Sequence, residues 1–528
     1  MSVTWARRVV VALAGFWVVV LALGVALRVG FPLELEWMEG GTLHQALRLQ
    51  QGLPIYPAPS AEFVPFLYTP LYPAVLAMLG WVFPLDLVLG RVVSVLAAVA
   101  VGLGLWRLVA REGKPRAHRA AALGLWCAGY VFSYRWYDVA RADSLFLALL
   151  LWGLLLLRDA RGRPGRALLA GLLVALAFWT KQTAAVFVLA SGLAGLWLSP
   201  RQWPWYAGVI ALVDGGGVLL GQWLTDGQLW RYIYTLHQSH AFNSERFTTK
   251  TWGMFLHAAP LLAALLLGLG VAALWRRAVS KGRVDKTCPE GQVQKDRREG
   301  LGYWGLMAAA GLLVSALGYS TQWAEANAFM PGVCFGAALL AVALPVGRGE
   351  AAALGLVAGQ LVFALVLEPR YQPIQDRGLA GLGDSYALQD WRRTAPTTQM
   401  RAQARALRAE LVAQPGPVLA LQRPWWSVLA GGPGHVGVMG LHDLPRAEQR
   451  VIERDLAAEV EAGVPVAVYL DGEAPAWLRP ALARRYRLAK KREGAARVLP
   501  LTGYMSVAGM VTPWRGAQLL YVRDDGGP

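Results

Sequence analysis

Val9-Val-Val-Ala-Leu-Ala-Gly-Phe-Trp17-Val-Val-Val-Leu-Ala-Leu-Gly-Val-Ala-Leu-Arg28 is followed closely by Glu34-Leu-Glu36-Trp-Met-Glu39-Gly-Gly. The first stretch has the length and composition of a helix crossing roughly 30 Å of hydrocarbon. The second sets three carboxylates where the chain leaves the bilayer. Carboxylates there are costly and usually serve a purpose. The two together predict a membrane protein with a polar site at the membrane surface.

The rest of the chain repeats the first signal. Of 528 residues, 55% are hydrophobic and 16% charged, against about 25% charged in soluble domains. Apolar runs recur at 9–28, 86–106, 120–134, 143–157, 167–180, 183–199, 205–224, 252–275, 301–318, 328–346 and 351–368, which predicts about eleven transmembrane helices. Short alternating segments, as a β-barrel needs, are absent from the sequence. With the N-terminus inside, the basic loops Arg107–Arg119, Arg158–Arg166 and Arg276–Gly300 fall in the cytoplasm. The net charge of +17 is thus explained by topology and not by nucleic acid, with contact to anionic lipid as a further, weaker reading. Leu71–Phe83 is too short to span and is expected as an external juxtamembrane or re-entrant helix. Arg7 and Arg8 precede the first run as in a signal peptide. The run is too long for one and no small-residue cleavage site follows, so it is read as a retained helix. Cys127, Cys288 and Cys334 have no disulfide or zinc spacing.

After residue 368 the composition changes. Met400–Val412 and Arg446–Ala462 read as amphipathic helices. Pro417–Leu421, Val464–Leu470 and Leu519–Arg523 read as strands. The expected organisation is a transmembrane unit over 1–368, with an external loop at 31–85, and a small extracytoplasmic α/β domain over 369–528. Lys281–Glu299 reads as a polar cytoplasmic loop.

By this topology four external segments collect the polar residues: Phe31–Pro70, Ser133–Ser144, Asp226–Lys250 and Tyr319–Asn327. Acids from two of them, with cations from others, suit an anionic lipid headgroup. Glu34 is expected to be a solvated loop residue, as are His237 and His240. The aromatics Trp37, Tyr56, Tyr68 and Tyr72 suit either sugar stacking or an interfacial belt. Trp425-Trp426 is expected in the tail's core or at the membrane. Asp443, His435 and His442 show no partner that suggests chemistry.

The order of these motifs resembles the GT-C superfamily of polyprenyl-phosphate-sugar-dependent glycosyltransferases, and is similar to its protein mannosyltransferase and lipid A aminoarabinose transferase branch. There the first external loop opens with an acidic motif, followed by a short amphipathic helix ending in Gly and a Tyr/Pro/Leu segment. Glu39-Gly-Gly-Thr-Leu-His-Gln-Ala-Leu-Arg-Leu-Gln-Gln-Gly52 and Tyr68-Thr-Pro-Leu-Tyr72 match that order, and Ala140-Arg141-Ala-Asp143-Ser-Leu-Phe matches a second acid heading a later helix. The likeness covers about residues 9–345. The family often shows adjacent Asp-Glu in the first loop, where this chain has Met38-Glu39 and an earlier Glu36.

The resemblance implies an inverting hexosyl- or pentosyltransferase of the bacterial inner (cytoplasmic) membrane. It would move a sugar from a polyprenyl-phosphate donor to an envelope glycan, lipid or protein on the extracytoplasmic face. Glu39 or Glu36 is the expected base and Asp143 a second acid. Arg141, Lys181 and Arg231 are the expected phosphate partners, and Asp138, Tyr68 and Asn327 complete the substrate-binding set. A lipid phosphate leaves readily, so a base and nearby cations suffice. No cofactor is firmly implied, and a divalent cation is compatible with the acidic loops. The other reading is a transporter or flippase of lipid-linked envelope precursors. Such a protein should place polar groups at the bilayer midplane, whereas here they lie at the ends of apolar runs.

Overall fold

The computed structural model describes residues 2–279, 289–370, 385–388, 395–502 and 516–524. Every one of the eleven apolar runs is helical. They form α1 (Val3–Arg28), α4 (Leu87–Arg111), α5 (Arg116–Phe132), α6 (Ala142–Arg158), α7 (Pro164–Thr180), α8 (Ala185–Leu198), α9 (Trp203–Leu224), the pair α10 (Thr251–Ala258) and α11 (Pro260–Val279), α12 (Pro289–Tyr319), α13 (Met330–Ala343) and α14 (Glu350–Val366). Between α1 and α4 lie α2 (Glu39–Gln50) and α3 (Leu71–Leu79).

Five helical segments are long and apolar enough to cross a membrane alone: α1, α4, α9, Gln294–Tyr319 of α12 and Ala326–Ala343, which contains α13. A sixth is the α10–α11 pair if taken as one broken span, bent by 99°. The apolar runs therefore lie on helices, but among the described residues five or six, not eleven, meet that test. Leu212, Leu219 and Trp223 on α9 are 74%, 73% and 75% exposed. A soluble protein rarely shows so continuous an apolar face; hydrocarbon around the helix accounts for it. Trp81, Val82 and Phe83, just beyond α3, are exposed in the same way.

The charged groups sort to the two ends of the bundle. At one end Arg7 of α1 meets Glu350 of α14 (2.7 Å), and Arg158 of α6 meets Glu112 beyond α4 (3.2 Å). At the other, Arg28 of α1 meets Asp138 (2.8 Å) and Arg91 of α4 meets Glu39 of α2 (2.8 Å). Between the ends, α1 packs on α5, α4 on α6 and α12 on α13 through buried Ala, Leu, Val and Trp.

In the tail, α15 (Thr398–Val412) and α16 (Arg446–Glu461) flank a four-stranded sheet. A two-stranded antiparallel ladder, β1 (Leu367–Arg370) with β2 (Ser385–Leu388), precedes it. The sheet order is β3 (Val418–Leu419), β4 (Ala467–Asp471), β6 (Gln518–Arg523), β5 (Tyr486–Arg492); β3 and β4 are parallel and the other pairs antiparallel. Strand β5 was not expected, because its Arg and Lys are exposed on an edge and its apolar signal is weak. The tail grips the first loop. Trp426 Nε1 donates to Glu34 (2.9 Å), and the Leu35 carbonyl accepts from the amides of Leu501 and Thr502 (2.9 and 2.8 Å). Glu34 is thus buried, not solvated: it also lies 3.8 Å from Arg423. Trp425 packs against α2, where a Cβ added to Gly40 would stand 2.6 Å from Trp425 Cβ.

Candidate active site

Four chain turns converge at the end of the bundle that carries Glu39. After α5 the chain reverses through Tyr134 and Arg135, both left-handed (φ 50° and 62°), a conformation uncommon outside Gly. One short turn later Arg141 caps α6, with Asp143 in its first turn, where the helix dipole favours an anion. Lys181 closes α7 and Gln182 opens the turn into α8. Asn327 lies in the turn leading into α13.

Arg141, Asp143, Lys181, Gln182 and Asn327 help wall a cavity of about 520 Å³. Asp143 is held at three points: Lys181 Nζ (2.5 Å) and Asn327 Nδ2 (3.0 Å) donate to Oδ1, and Trp136 Nε1 (2.9 Å) to Oδ2. Arg141 Nη1 donates to Glu36 (2.8 Å) and Nη2 to the Tyr68 hydroxyl (2.8 Å), with the guanidinium 5.2 Å from the Tyr68 ring centre. The lining also carries His237, His240, Gln322, Trp323, Glu325 and Asp443. His240 Nε2 and Asp443 Oδ1 are 3.0 Å apart; His237 Nε2 lies 2.7 Å from both the Gln182 amide and the Leu67 carbonyl. Toward the bundle the lining turns apolar, with Phe146, Leu147, Val314, Leu317 and Met330.

Asp143, Arg141, Lys181, Tyr68 and Asn327 are brought together as the sequence suggested. Three expected residues are elsewhere. Glu39 is walled off: it accepts from Arg91 Nε and Nη2 (3.0 and 2.8 Å) and from the amides of Leu35 (2.5 Å) and Ala140 (2.7 Å). Met38, not Glu39, faces the cavity. Asp138 is committed to Arg28 and the Tyr130 hydroxyl (3.1 Å) inside the protein. Arg231 is turned to Glu448 of the tail (2.5 Å), outside the cavity lining.

Glu36 stands one contact behind the wall. It is fully buried, accepts from Arg141 and from the Met38 amide (3.2 Å) through Oε2, and its Oε1 has no hydrogen-bond partner among the described residues. Burial pushes its carboxyl up to about 7; Arg141 opposes this and Glu39 adds to it.

Three groups were missed or undervalued. Arg91 was a lone cation inside an apolar run, the signal that something must pair with it. His237 and His240 looked like loop histidines. Asp443 lies 203 residues from His240, so nothing in the local sequence could join them. Among the described residues no three His, Cys, Asp or Glu side chains are grouped so as to hold a metal ion.

Residues 66–288 match the model of glycosyltransferase family 87, a family of GT-C type. That stretch contains Tyr68, Arg141, Asp143, Lys181, His237 and His240, but not the first-loop glutamates or the tail. No curated protein matches the chain significantly. The solved structures that resemble it include ArnT from Cupriavidus metallidurans in the apo state, with a TM-score of 0.48 and 16% identity over 98% of this chain and 99% of that one. The same protein bound to undecaprenyl phosphate gives a TM-score of 0.44 and 14% identity, over 92% of this chain and 85% of that one.

Proposed function

We propose that this chain is an integral membrane glycosyltransferase that takes a sugar from a polyprenyl-phosphate donor and passes it to an envelope glycan, lipid or protein on the extracytoplasmic face. The observation that carries the reading is the Arg141–Asp143–Lys181 wall: two cations beside one acid, in a cavity at the ends of apolar helices. The charge sorting supports the orientation, with the N-terminus and the basic end in the cytoplasm and the tail outside.

The chemistry follows from the residues. The acceptor hydroxyl attacks the anomeric carbon as the bond from that carbon to the phosphate oxygen breaks. Negative charge grows on the departing lipid phosphate, and Lys181 and Arg141 stabilise it. Asp143 holds Lys181 in place. Glu36 takes the acceptor's proton. Its carboxylate titrates near neutrality, as suits a general base, and its free Oε1 is directed by no other donor. Arg141 stands between Glu36 and the cavity, so a donor phosphate that draws Arg141 away would uncover the base as it binds. The His240–Asp443 pair, also on the cavity lining, serves the acceptor side. Glu39 is a structural residue in this scheme.

Mass analysis of envelope glycans and lipids tests the function. A strain lacking the gene should lose one glycoform, restored by the wild-type chain and not by Asp143→Asn. Identical profiles in all strains would remove the proposal.

A further inference from the structure

At the far end of the bundle a second polar cleft, of about 180 Å³, lies among α4, α6, α7 and α12. With a rise of 1.5 Å per residue, Arg158 at the end of α6 is about 22 Å from Asp143 at its start. The cleft is lined by Arg111, Arg158, Arg161, Arg163, Asp159 and Asp296, with Ser199 at its edge.

The carboxylates set the guanidiniums without using them up. Arg111 donates to Asp159 (2.8 Å) and Asp296 (3.1 Å), and Arg158 to Asp296 (2.8 Å) through Nη2 and to Glu112 (3.2 Å) through Nε. Arg161 is fixed by the Leu198 carbonyl (3.0 Å) and Glu299 (3.1 Å). Two donors on the lining remain open. Arg163 has no carboxylate partner among the described residues. The Ser199 hydroxyl, on a residue 2% exposed, has no hydrogen-bond partner among them either. A buried hydroxyl without a partner, on the lining of a cleft walled by arginines, can donate to an oxyanion, and a tetrahedral oxyanion supplies several acceptors at once. Arginine forks suit that geometry better than any other side chain.

We propose that this cleft binds a phosphate group at the membrane surface, presented by an anionic phospholipid headgroup or by free inorganic phosphate. The site is separate from the catalytic cavity, and the proposal stands whether or not the glycosyltransferase reading holds.

The test uses the full chain in phosphatidylcholine nanodiscs and native mass spectrometry, with phosphatidylglycerol or inorganic phosphate added. Wild type should retain one added phosphate-bearing molecule. Arg163→Gln, at an exposed and unpartnered site that folding does not need, should weaken retention about fivefold, the usual effect of one basic residue at an anionic surface. Ser199→Ala should weaken it too. The control Arg8→Gln, exposed at the same end of the bundle, should leave it unchanged. Retained phosphatidylglycerol that phosphate does not displace identifies the headgroup as the source. Phosphate binding without added lipid identifies the soluble anion. Retention of neither, or equal weakening by Arg8→Gln, overturns the proposal.

Discussion

Arg91 and Glu39 face each other through two nitrogens and two oxygens, at 3.0 and 2.8 Å, with neither side chain exposed. Arg91 also reaches the carbonyls of Phe31 and Leu33, both at 2.6 Å. One guanidinium therefore ties α4, the first loop and α2 together. Removing one partner of a buried pair costs about 3–5 kcal/mol, because a charge is left uncompensated. Glu39→Gln and Arg91→Met should each lower folded yield and melting temperature in detergent, and the double variant should recover part of both. A Glu39→Gln protein as stable as wild type but inactive would return Glu39 to the chemistry.

Glu36→Gln, which leaves the buried Arg141 without its carboxylate and so also lowers stability, should as folded protein bind donor but lose about 10²–10⁴-fold in turnover, the usual contribution of a general base. More donor should not rescue it, since the defect lies in the chemical step. Single-turnover rates with and without saturating donor decide this.

The same carboxyl sets a pH dependence. A base works deprotonated, so kcat/KM should fall as pH drops below about 7. Stability moves the other way. The folded-state value lies above the ordinary carboxylate value of 4.5, so this group's contribution is full below about 4.5 and is lost as pH rises to about 7. Melting curves of Glu36→Gln should lack that decline relative to wild type; parallel curves would contradict it.

If Lys181 pairs with the donor phosphate as proposed, Lys181→Met should raise KM for the donor and lower kcat together, because the cation binds the phosphate in the ground state and holds it more strongly as charge grows in the transition state. It also strips Asp143 of its closest donor. Asn327→Ala, which removes a neutral donor to the same oxygen, should give a smaller loss. Steady-state constants for the two variants separate charge from positioning.

Much of this was legible in the sequence. The apolar runs lie on helices, since hydrophobic composition decides this locally, but among the described residues five or six and not eleven are long and apolar enough to span, and the run at 252–275 is broken by a 99° bend. Asp143, Arg141 and Lys181, which line one cavity, stand out in the sequence because each sits at the end of an apolar run, where a charge needs a reason. The fate of Glu34, Glu39, Asp138 and Arg231 was not legible, because each is decided by a partner distant in sequence: Arg423, Arg91, Arg28 and Glu448. Asp443 shows the same limit in reverse. Its neighbourhood is unremarkable, and only the docking of the tail onto the loops carries it to His240.

In the proposed reaction, sugar leaves the lipid phosphate at the wall of Arg141, Asp143 and Lys181. The most direct measurement is sugar release from polyprenyl-phosphate donors by purified chain in proteoliposomes, comparing wild type with Asp143→Asn at matched folding. Wild type should release free polyprenyl phosphate in step with acceptor glycosylation, and Asp143→Asn should do so at least about 100-fold more slowly, a loss typical of removing one electrostatic or acid–base group. Equal rates for the two proteins would contradict the account.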